Sequence, residues 1–351
     1  MTTAFAIDRP LSGANFGGTL RLALAGGGMD ARAVVAAAEA APGELTDALA
    51  VCEGLLLLTG LDAIADEPVL LVRLSQAFGV EVEDYRQTLT RSNMVHETVP
   101  EIFVVSNIPS VGRQPPPRPD PPLTKAGRLP VQYPHRKGWH TDQSYRRPPP
   151  DISLFFAVTP VPQGQGQTLF ANGAAAYAAL PAALKRRVEG LEGLHVRPGT
   201  GRSRDAVTAG ETPHPLEPHE RSQRQPVARF HPITGKPALY LCESGQMDWV
   251  EGPFAGMEPG PHGNGARLLD ELMSHLTQPK FIYAHEWNPG DLVAWDNRCL
   301  VHAATWFDAA RLERVMWRTT VHGNAGALYA GERKSWIPQP QDAPRPGEAG
   351  G

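Results

Sequence analysis

Two side chains that could bind a metal ion stand close together near the middle of the sequence. His140 and Asp142 are separated by one residue, so their imidazole and carboxylate can project from the same side of a strand end. A second imidazole, His302, comes much later, after an apolar run. Two imidazoles and a carboxylate can hold iron(II) on one face and leave the opposite positions open. The pattern indicates a metal site, although a lone His-x-Asp is also typical of a surface turn capped by its Asp.

His140 and His302 can meet only if the chain between them folds back on itself. The two packed sheets of a jelly roll allow this. At 351 residues, the chain can bury a large core, and its length alone is compatible with one large domain or with two.

Composition and charge narrow the class of protein. The 33 basic and 37 acidic side chains give a net charge of −4, which argues against a general binder of nucleic acid or anionic membranes. No apolar run has the length of a bilayer span, and no secretory signal is found at the N-terminus. We expect a soluble, cytoplasmic protein. Cys52, Cys242 and Cys299 are scattered and form no Cys-x-x-Cys pair, so we expect buried thiols.

Helical and strand patterns alternate along the chain. Helices are expected at 31–41, 44–53, 66–78, 174–188 and 265–277, and strands at 19–24, 55–59, 101–105, 152–161 and 168–170, with a strand-turn-strand unit at 229–240. The apolar run 152–161 is typical of a strand buried on both faces. We expect His231 to lie in the exposed turn of the 229–240 unit.

Three segments look irregular. The proline run 114–122 cannot join a central sheet, because proline lacks the ladder donor, and we expect a surface loop, which could lie over the mouth of the site. The polar stretch 199–225 predicts a long loop, for which a lid and plain disorder both stay open. The tail 338–351 is rich in Pro and Gly and predicts disorder. Residues 1–337 then form one domain.

Several short motifs together resemble the taurine dioxygenase and 2,4-dichlorophenoxyacetate dioxygenase family of Fe(II)- and 2-oxoglutarate-dependent oxygenases. The matching stretches are 139–142, 166–172, 231–236, 295–298, His302 and 314–318, and they occur in the family's order at similar separations. The resemblance covers roughly 55–329, while 20–54 resembles the family only loosely.

The resemblance implies a mainly β fold with flanking helices, a double-stranded β-helix (a distorted, cupin-like jelly roll). It implies iron held by His140, Asp142 and His302, and 2-oxoglutarate whose distal carboxylate is bound by Thr168 and Arg314. A planar guanidinium can pair both oxygens of a carboxylate, and a hydroxyl adds one donor. In this family, dioxygen and 2-oxoglutarate yield succinate, CO2 and a ferryl-oxo species that hydroxylates the substrate. The retained carboxylate of Asp142 favours hydroxylation over halogenation.

The substrate is expected to be a small anion. Arg318 matches a position that holds anionic substrates in some members, and a strand would place it on the same face as Arg314. A buried Arg318 without an internal partner would need a second anion. The basic residues before the metal motif, Arg136 among them, also favour an anion, although a solvated loop explains them equally well. The stretch 240–249 departs from the taurine enzyme, so taurine itself is not indicated.

Two other functions stay open, as does homo-oligomerisation. An inert jelly roll that binds a small molecule would usually lose a metal ligand or the cosubstrate arginine, and both are retained here. A zinc hydrolase could use two His and one Asp, but it would not account for Thr168 and Arg314.

Overall fold

The computed structural model describes residues 3–23, 30–243, 245–322, 332 and 334–336. The predicted tail 338–351 lies outside the described residues, and the single domain over 1–337 stays a prediction. None of the described helices is long and apolar enough to cross a bilayer.

The described chain consists mainly of strands. The strands are β1 (Phe5–Asp8), β2 (Gly18–Leu22), β3 (Leu55–Leu58), β4 (Glu81–Val82), β5 (Phe103–Ser106), β6 (Ile152–Thr159), β7 (Thr168–Asn172), β8 (Glu192–His195), β9 (Gln223–Pro226), β10 (Ala228–Phe230), β11 (Pro237–Leu239), β12 (Ile282–His285), β13 (Leu292–Asp296), β14 (Leu300–Ala304) and β15 (Val315–His322). The α-helices are α1 (Ala31–Ala40), α2 (Glu44–Val51), α3 (Ala63–Asp66), α4 (Val69–Gln76), α5 (Gly173–Ala178), α6 (Ala182–Val188), α7 (Arg204–Thr208) and α8 (Asn264–Leu276).

Two sheets form the centre of the fold. The larger sheet has eight strands in the order β1-β2-β3-β13-β6-β15-β4, with β5 also paired to β15. The smaller sheet has the order β12-β7-β14. Its strands are antiparallel, as are those of the larger sheet except where β2 runs parallel to β3. This is the double-stranded β-helix that the family resemblance implied.

The inner faces of the two sheets share one apolar cluster. Phe155 of β6 and Trp295 of β13 come from the larger sheet, and Phe170 of β7 and Leu300 of β14 from the smaller one. Alternate residues of β6 point the other way: Ile152, Leu154 and Phe156 join a second cluster with α1, α2 and α4. A strand with two covered faces is apolar along its length, so the prediction for 152–161 is confirmed.

The outer face of the smaller sheet packs on α8. Leu268, Leu269, Leu272 and Leu276 recur at helical spacing and are all buried there, together with Val301 of β14. The larger sheet therefore has helices from the N-terminal part of the chain on its outside, and the smaller sheet has helices from the middle and C-terminal parts. Because helices cover the outer faces of both sheets, the functional side chains lie in the space between the sheets.

Most predicted elements are confirmed within a few residues, and two need correction. The helix expected over 174–188 is divided into α5 and α6, with Pro181 preceding α6, since proline cannot donate a helical hydrogen bond. The segment 199–225 is not a structureless loop: it contains α7, a 3-10 turn at Pro218–Glu220 and the start of β9. Buried Arg202 also pairs with Asp248, which ties the segment to the fold. The proline run 114–122 has no regular structure, as expected.

The junction between β7 and α5 gives a test of close packing. Gly173 follows the N-cap Asn172, and a Cβ at Gly173 would lie 2.7 Å from the Leu239 carbonyl oxygen and 2.8 Å from that of Cys299. We expect Gly173→Ala to lower the free energy of unfolding by about 1–3 kcal/mol, because backbone atoms cannot yield as a side chain can. Urea denaturation followed by circular dichroism measures this change.

Gly245→Ala is the matched control, because a Cβ there meets nothing within 4 Å. Equal midpoints for wild type and Gly173→Ala would contradict the close approach of α5 to the backbone at Leu239 and Cys299.

Candidate metal centre and its cavities

A short antiparallel bridge brings the two histidines together. The backbone N–H of His140 donates to the carbonyl of His302 at 2.9 Å, and the N–H of His302 donates back at 2.7 Å. Partners in such a bridge project to the same side, and the two ring centroids lie 4.2 Å apart. His302 lies on β14, whereas His140 lies in an irregular segment. The bridge therefore fixes that segment against the smaller sheet.

Asp142 completes a cluster of possible metal ligands. Its Oδ1 lies 4.0 Å from Nε2 of His140 and 3.9 Å from Nε2 of His302. The three ligand atoms lie within 4.8 Å of one another. Each therefore lies within reach of a common centre at the bond lengths usual for metal–nitrogen and metal–oxygen ligation. The structure thus brings together the three residues that the sequence singled out.

Neighbouring groups orient these ligands. Nδ1 of His140 lies 2.8 Å from the Gly138 carbonyl, which makes Nδ1 the protonated nitrogen and leaves the lone pair of Nε2 facing the cluster. The Ser153 hydroxyl donates to Oδ2 of Asp142 at 2.7 Å. Arg318 donates to Oδ1 of the same carboxylate at 2.6 Å.

The protonation states of His140, Asp142 and His302 favour the binding of a metal cation. Burial, and then the neighbouring His140, lower the pKa of His302 to about 3, and burial also lowers the pKa of His140. Burial by itself would raise the pKa of Asp142, but Arg318 and the two imidazoles outweigh it and hold this pKa below its usual range. At neutral pH the cluster thus offers two neutral imidazoles and one carboxylate. That donor set fits iron(II), with one face left for other ligands.

One cavity opens from the cluster between the two sheets. It measures about 310 Å³, and its lining includes His140, His302, Thr168 and Arg314. Phe155 and Phe307 form part of its apolar wall, and the Arg314 guanidinium carbon lies 5.7 and 6.0 Å from the centres of their rings. We call this space the inner cavity.

The inner cavity ends at a cationic group with a free donor. Arg314 donates from Nη2 to the Gly166 carbonyl at 3.3 Å, whereas its buried Nε has no hydrogen-bond partner within the described chain. Burial, and then Arg113, lower the pKa of Arg314 to about 10, so it stays charged at neutral pH. The Thr168 hydroxyl accepts from the indole N–H of Trp287 at 3.0 Å, which leaves its own proton to donate. This end of the cavity suits a carboxylate.

A second cavity lies on the other side of His140 and Asp142. It measures about 320 Å³. Its wall combines the apolar or aromatic side chains Leu89, Met94, Phe103, Tyr145 and Trp336 with the basic side chains Arg91, Arg113, Arg146, Arg197 and Arg318. Arg113 and Arg318 line both spaces. We call this space the outer cavity.

Comparison with known proteins agrees with this arrangement. The family model for the taurine catabolism dioxygenase TauD, TfdA family matches residues 9–320. The chain belongs to this family. The (S)-phenoxypropionate/alpha-ketoglutarate-dioxygenase of Sphingobium herbicidovorans is 35% identical over 197 residues, which cover 55% of this chain and 64% of that protein. An alpha-ketoglutarate-dependent 2,4-dichlorophenoxyacetate dioxygenase of a Burkholderia species is 32% identical over 206 residues, covering 57% and 62%. The chain thus spans less than two thirds of the length of these relatives.

Solved structures of similar proteins cover nearly the whole chain. The crystal structure of AAD-2 in complex with Mn(II) and N-oxalylglycine has a TM-score of 0.62 and 27% identity, and covers 92% of this chain and 98% of that one. A taurine dioxygenase from Burkholderia xenovorans has a TM-score of 0.60 and 25% identity, covering 92% and 90%. The TauD/TfdA fold therefore extends over most of the chain.

Three expectations about individual residues in this TauD/TfdA chain need correction. His231 is not exposed: it is buried, and its Nε2 lies 2.8 Å from Oδ2 of Asp296. Arg318 does have an internal partner, the metal-ligand candidate Asp142. Arg136 lines neither cavity, because its buried side chain turns back to the Pro130 carbonyl. Its neighbour Lys137 lines the inner cavity instead.

Asn297 is a positioning residue that was not among the predicted site residues. Its side-chain oxygen accepts from the backbone N–H of Asp142 at 3.2 Å and from the indole of Trp295 at 3.0 Å. Its side-chain amide donates to Ser153 at 2.9 Å, and Ser153 in turn donates to Asp142. The side-chain amide of Asn297 thus holds the backbone of Asp142 directly and the carboxylate of Asp142 through Ser153. The sequence feature that pointed to this role is the position of Asn297 within the 295–298 motif.

A second buried group of possible ligands is structural. His231, Asp296 and Cys299 lie close together, but both oxygens of Asp296 also accept from Arg298, at 2.8 and 2.5 Å. Burial, and then Asp296, raise the pKa of Cys299 well above its usual value, so its sulfur stays a thiol. The carboxylate is neutralised by side chains and the thiol is a poor ligand, which leaves this cluster without a metal-binding role.

Replacement of the ligands tests the centre directly. We expect His140→Ala, Asp142→Ala and His302→Ala each to abolish stoichiometric binding of Fe(II) or Mn(II), because two remaining ligands hold a divalent ion weakly. Asp142→Glu should also impair binding, since the longer side chain misplaces the carboxylate. Anaerobic titration, with metal content measured after gel filtration, gives the affinity.

Ser153→Ala serves as a graded comparison, because it leaves all three ligands and removes one hydrogen bond to Asp142. A loss of about 10–100-fold in metal affinity is expected for such a supporting residue. Wild-type metal content in Asp142→Ala would refute the assigned centre.

Proposed function

We propose that this protein is an Fe(II)- and 2-oxoglutarate-dependent dioxygenase that hydroxylates a small anionic organic substrate and releases succinate and CO2. One observation carries the proposal: His140, His302, Thr168 and Arg314 line a single cavity, and Asp142 lies beside the two histidines. The cavity has metal ligands at one end and a cation that can pair with a carboxylate at the other. A dicarboxylate that chelates the metal fits both ends. The TauD/TfdA membership agrees with this assignment.

The cosubstrate would lie along the inner cavity. Its distal carboxylate would accept from the unpartnered Nε of Arg314 and from the Thr168 hydroxyl, and its keto-acid end would reach the metal. The similar AAD-2 structure contains Mn(II) and N-oxalylglycine, an analogue of 2-oxoglutarate. A buried guanidinium with a free donor is costly to maintain, and a charge-assisted pair with this carboxylate would offset that cost.

The bound iron would supply the chemistry of dioxygen activation coupled to oxidative decarboxylation of 2-oxoglutarate. The protein side chains orient the reactants and exclude water. Phe155, Trp295 and Phe307 line the inner cavity and keep water away from the cosubstrate chain. Ser153 and Arg318 hold the carboxylate of Asp142 by separate oxygens, so it cannot rotate away from the two imidazoles.

The outer cavity is the proposed site of the prime substrate. Arg318 uses one Nη for Asp142, but its Nε is buried without a hydrogen-bond partner in the described chain. Arg113 has no carboxylate within ion-pairing distance among the described residues and lines the same space. These two cations next to the metal favour an anionic group on the substrate. The relatives named for phenoxypropionate and 2,4-dichlorophenoxyacetate carry out such chemistry on carboxylates.

The reducing cytoplasm is the compartment that we propose. Cys52, Cys242 and Cys299 are buried free thiols. Burial raises the pKa of Cys52 to about 11 and that of Cys242 to about 12, so neither is a reactive thiolate at neutral pH.

A non-catalytic binding protein and a zinc hydrolase account for less of the structure. The binding protein would have no use for three converging ligands, and the hydrolase would have no use for the buried Arg314. Anaerobic addition of Fe(II) and 2-oxoglutarate separates these functions, because chelation of iron by a keto acid gives a weak visible absorption band. A protein without that band and without 2-oxoglutarate-dependent succinate release would not be a dioxygenase of this kind.

Replacement of Arg314 tests the cosubstrate site. Arg314→Ala should raise the apparent Kd for 2-oxoglutarate by about 30-fold to several thousandfold, since losing one partner of a buried charged pair costs about 2–5 kcal/mol. Arg314→Lys should recover part of the affinity, because it keeps the charge but not the planar fork. The visible band, titrated with 2-oxoglutarate at fixed Fe(II), reports the affinity.

Arg311→Ala is the control, because this neighbouring arginine is exposed and lines neither cavity. Iron content should be equal in all four proteins. An unchanged Kd in Arg314→Ala would remove Arg314 from the cosubstrate site.

A further inference from the structure

Part of the wall of the outer cavity comes from a residue that lies after the region matched by the family model. Trp336 lines the outer cavity and does not line the inner one. It follows the last strand, β15, and lies outside residues 9–320, which match the family model. Trp336 therefore belongs to a segment that follows β15, and not to a strand of the β-helix.

Polar contacts fix the short segment that carries Trp336. Glu332 lies 2.6 Å from Nε of Arg147, and the Lys334 ammonium pairs with Glu81 at the edge of the larger sheet. The Ser335 backbone N–H donates to the Arg147 carbonyl at 2.8 Å, and the N–H of Arg147 donates to the Ser335 hydroxyl at 2.9 Å. Two ion pairs and two hydrogen bonds thus connect Glu332, Lys334 and Ser335 to the rest of the fold.

The indole contacts two further side chains. The guanidinium carbon of Arg146 lies 4.9 Å from the centre of the Trp336 ring, and the His322 ring lies 5.4 Å away at an angle of 33°. Cation–π and stacking contacts of this kind orient an aromatic ring. Trp336 is thus oriented before any ligand binds, which reduces the entropy lost on binding.

Arg146 connects this wall to the metal-binding segment. It forms a buried ion pair with Glu83 and donates to the side-chain oxygen of Gln143 at 2.9 Å. Gln143 follows the candidate ligand Asp142 directly in the chain. The indole therefore rests on the same polar network that supports the segment containing the ligand.

We infer that Trp336 is a specificity-determining residue, which forms the wall for the flat apolar body of the substrate. The inference rests on the proposed function. Arg113 and the metal-ligand candidate His140 line both cavities, and Arg113 has no ion-pair partner among the described residues. Leu89, Met94 and Phe103 add apolar surface to the outer cavity beside that of Trp336. An anion that carries an aromatic or similarly flat group matches both parts of the cavity. A compact anion would leave the apolar part empty.

Binding measurements on the inhibited complex test this inference without turnover. The protein would be loaded with Mn(II) and N-oxalylglycine and titrated in a calorimeter with 2-phenoxypropionate, 2,4-dichlorophenoxyacetate and, as a compact anion, propionate. We expect wild type to bind at least one aryloxy acid more tightly than propionate. Trp336→Ala should weaken that binding by about tenfold or more, as for a buried aromatic anchor, while Trp336→Phe should retain most of it.

Two further variants separate a role in binding from a general effect on folding. Trp306→Ala removes another half-buried tryptophan that contacts an arginine, Arg118 at 4.8 Å, but lines neither cavity, and it should bind as wild type does. Glu81→Gln removes the partner of Lys334 and should weaken aryloxy-acid binding less than Trp336→Ala does. All variants should keep the wild-type affinity for N-oxalylglycine.

Equal affinity of wild type and Trp336→Ala for the aryloxy acids would overturn the inference. Preference of the wild type for propionate, or no binding of either aryloxy acid, would overturn it as well. These failures are distinct from failure of the proposed function, because the latter would appear as loss of N-oxalylglycine and 2-oxoglutarate binding in the wild type.

Discussion

The candidate metal centre depends on two backbone hydrogen bonds between His140 and His302. The segment that carries His140 and Asp142 has almost no regular structure of its own, and this bridge attaches it to β14 as an additional sheet partner. Opposed residues in an antiparallel bridge point to the same side, and so do residues at i and i+2 of an extended segment. A single backbone contact therefore brings three side chains to one point.

The next constraint is the balance of charge around Asp142. A buried carboxylate is costly unless it is paired, and Arg318, two imidazoles and the Ser153 hydroxyl surround this one. A divalent cation would add two positive charges to a region that already contains Arg113, Arg314 and Arg318. Anionic ligands would offset part of this positive charge. The same electrostatics supports the proposed dicarboxylate in the inner cavity and the proposed anionic substrate in the outer one.

The two cavities differ in what forms them. Strands of both sheets supply Phe155, Thr168, Trp295 and His302 to the inner cavity, and residues outside the strands, such as Gln114 and Lys137, complete its lining. The outer cavity takes residues from loops, from the segment around Arg197 and His219, and from Trp336 near the C-terminus. Loops tolerate sequence change better than packed strands do. We therefore expect sequence change to be tolerated better at the loop residues of the outer cavity than at the strand residues of the inner one.

The sequence by itself determined the local features and the identity of the reactive groups. Apolar runs predicted β6 and the apolar stripe predicted α8, because burial requires those patterns whatever the neighbours are. The spacing of His140 and Asp142 indicated the metal site, and the family motifs supplied Thr168, Arg314 and Arg318 as candidates. These predictions rest on short-range geometry or on known motifs. Neither kind of evidence requires knowledge of which remote residues become neighbours in the fold.

Only the tertiary structure decided how the polar groups are paired. His231 looked like part of an exposed turn, yet it is buried against Asp296 from a distant strand. Arg318 looked unpartnered, yet it binds Asp142, while Arg136 turns away from both cavities and Asn297 orients the ligand segment. A side chain's partner depends on which strands become neighbours and on the direction in which each residue points. Those long-range pairings arise only when the sheets close.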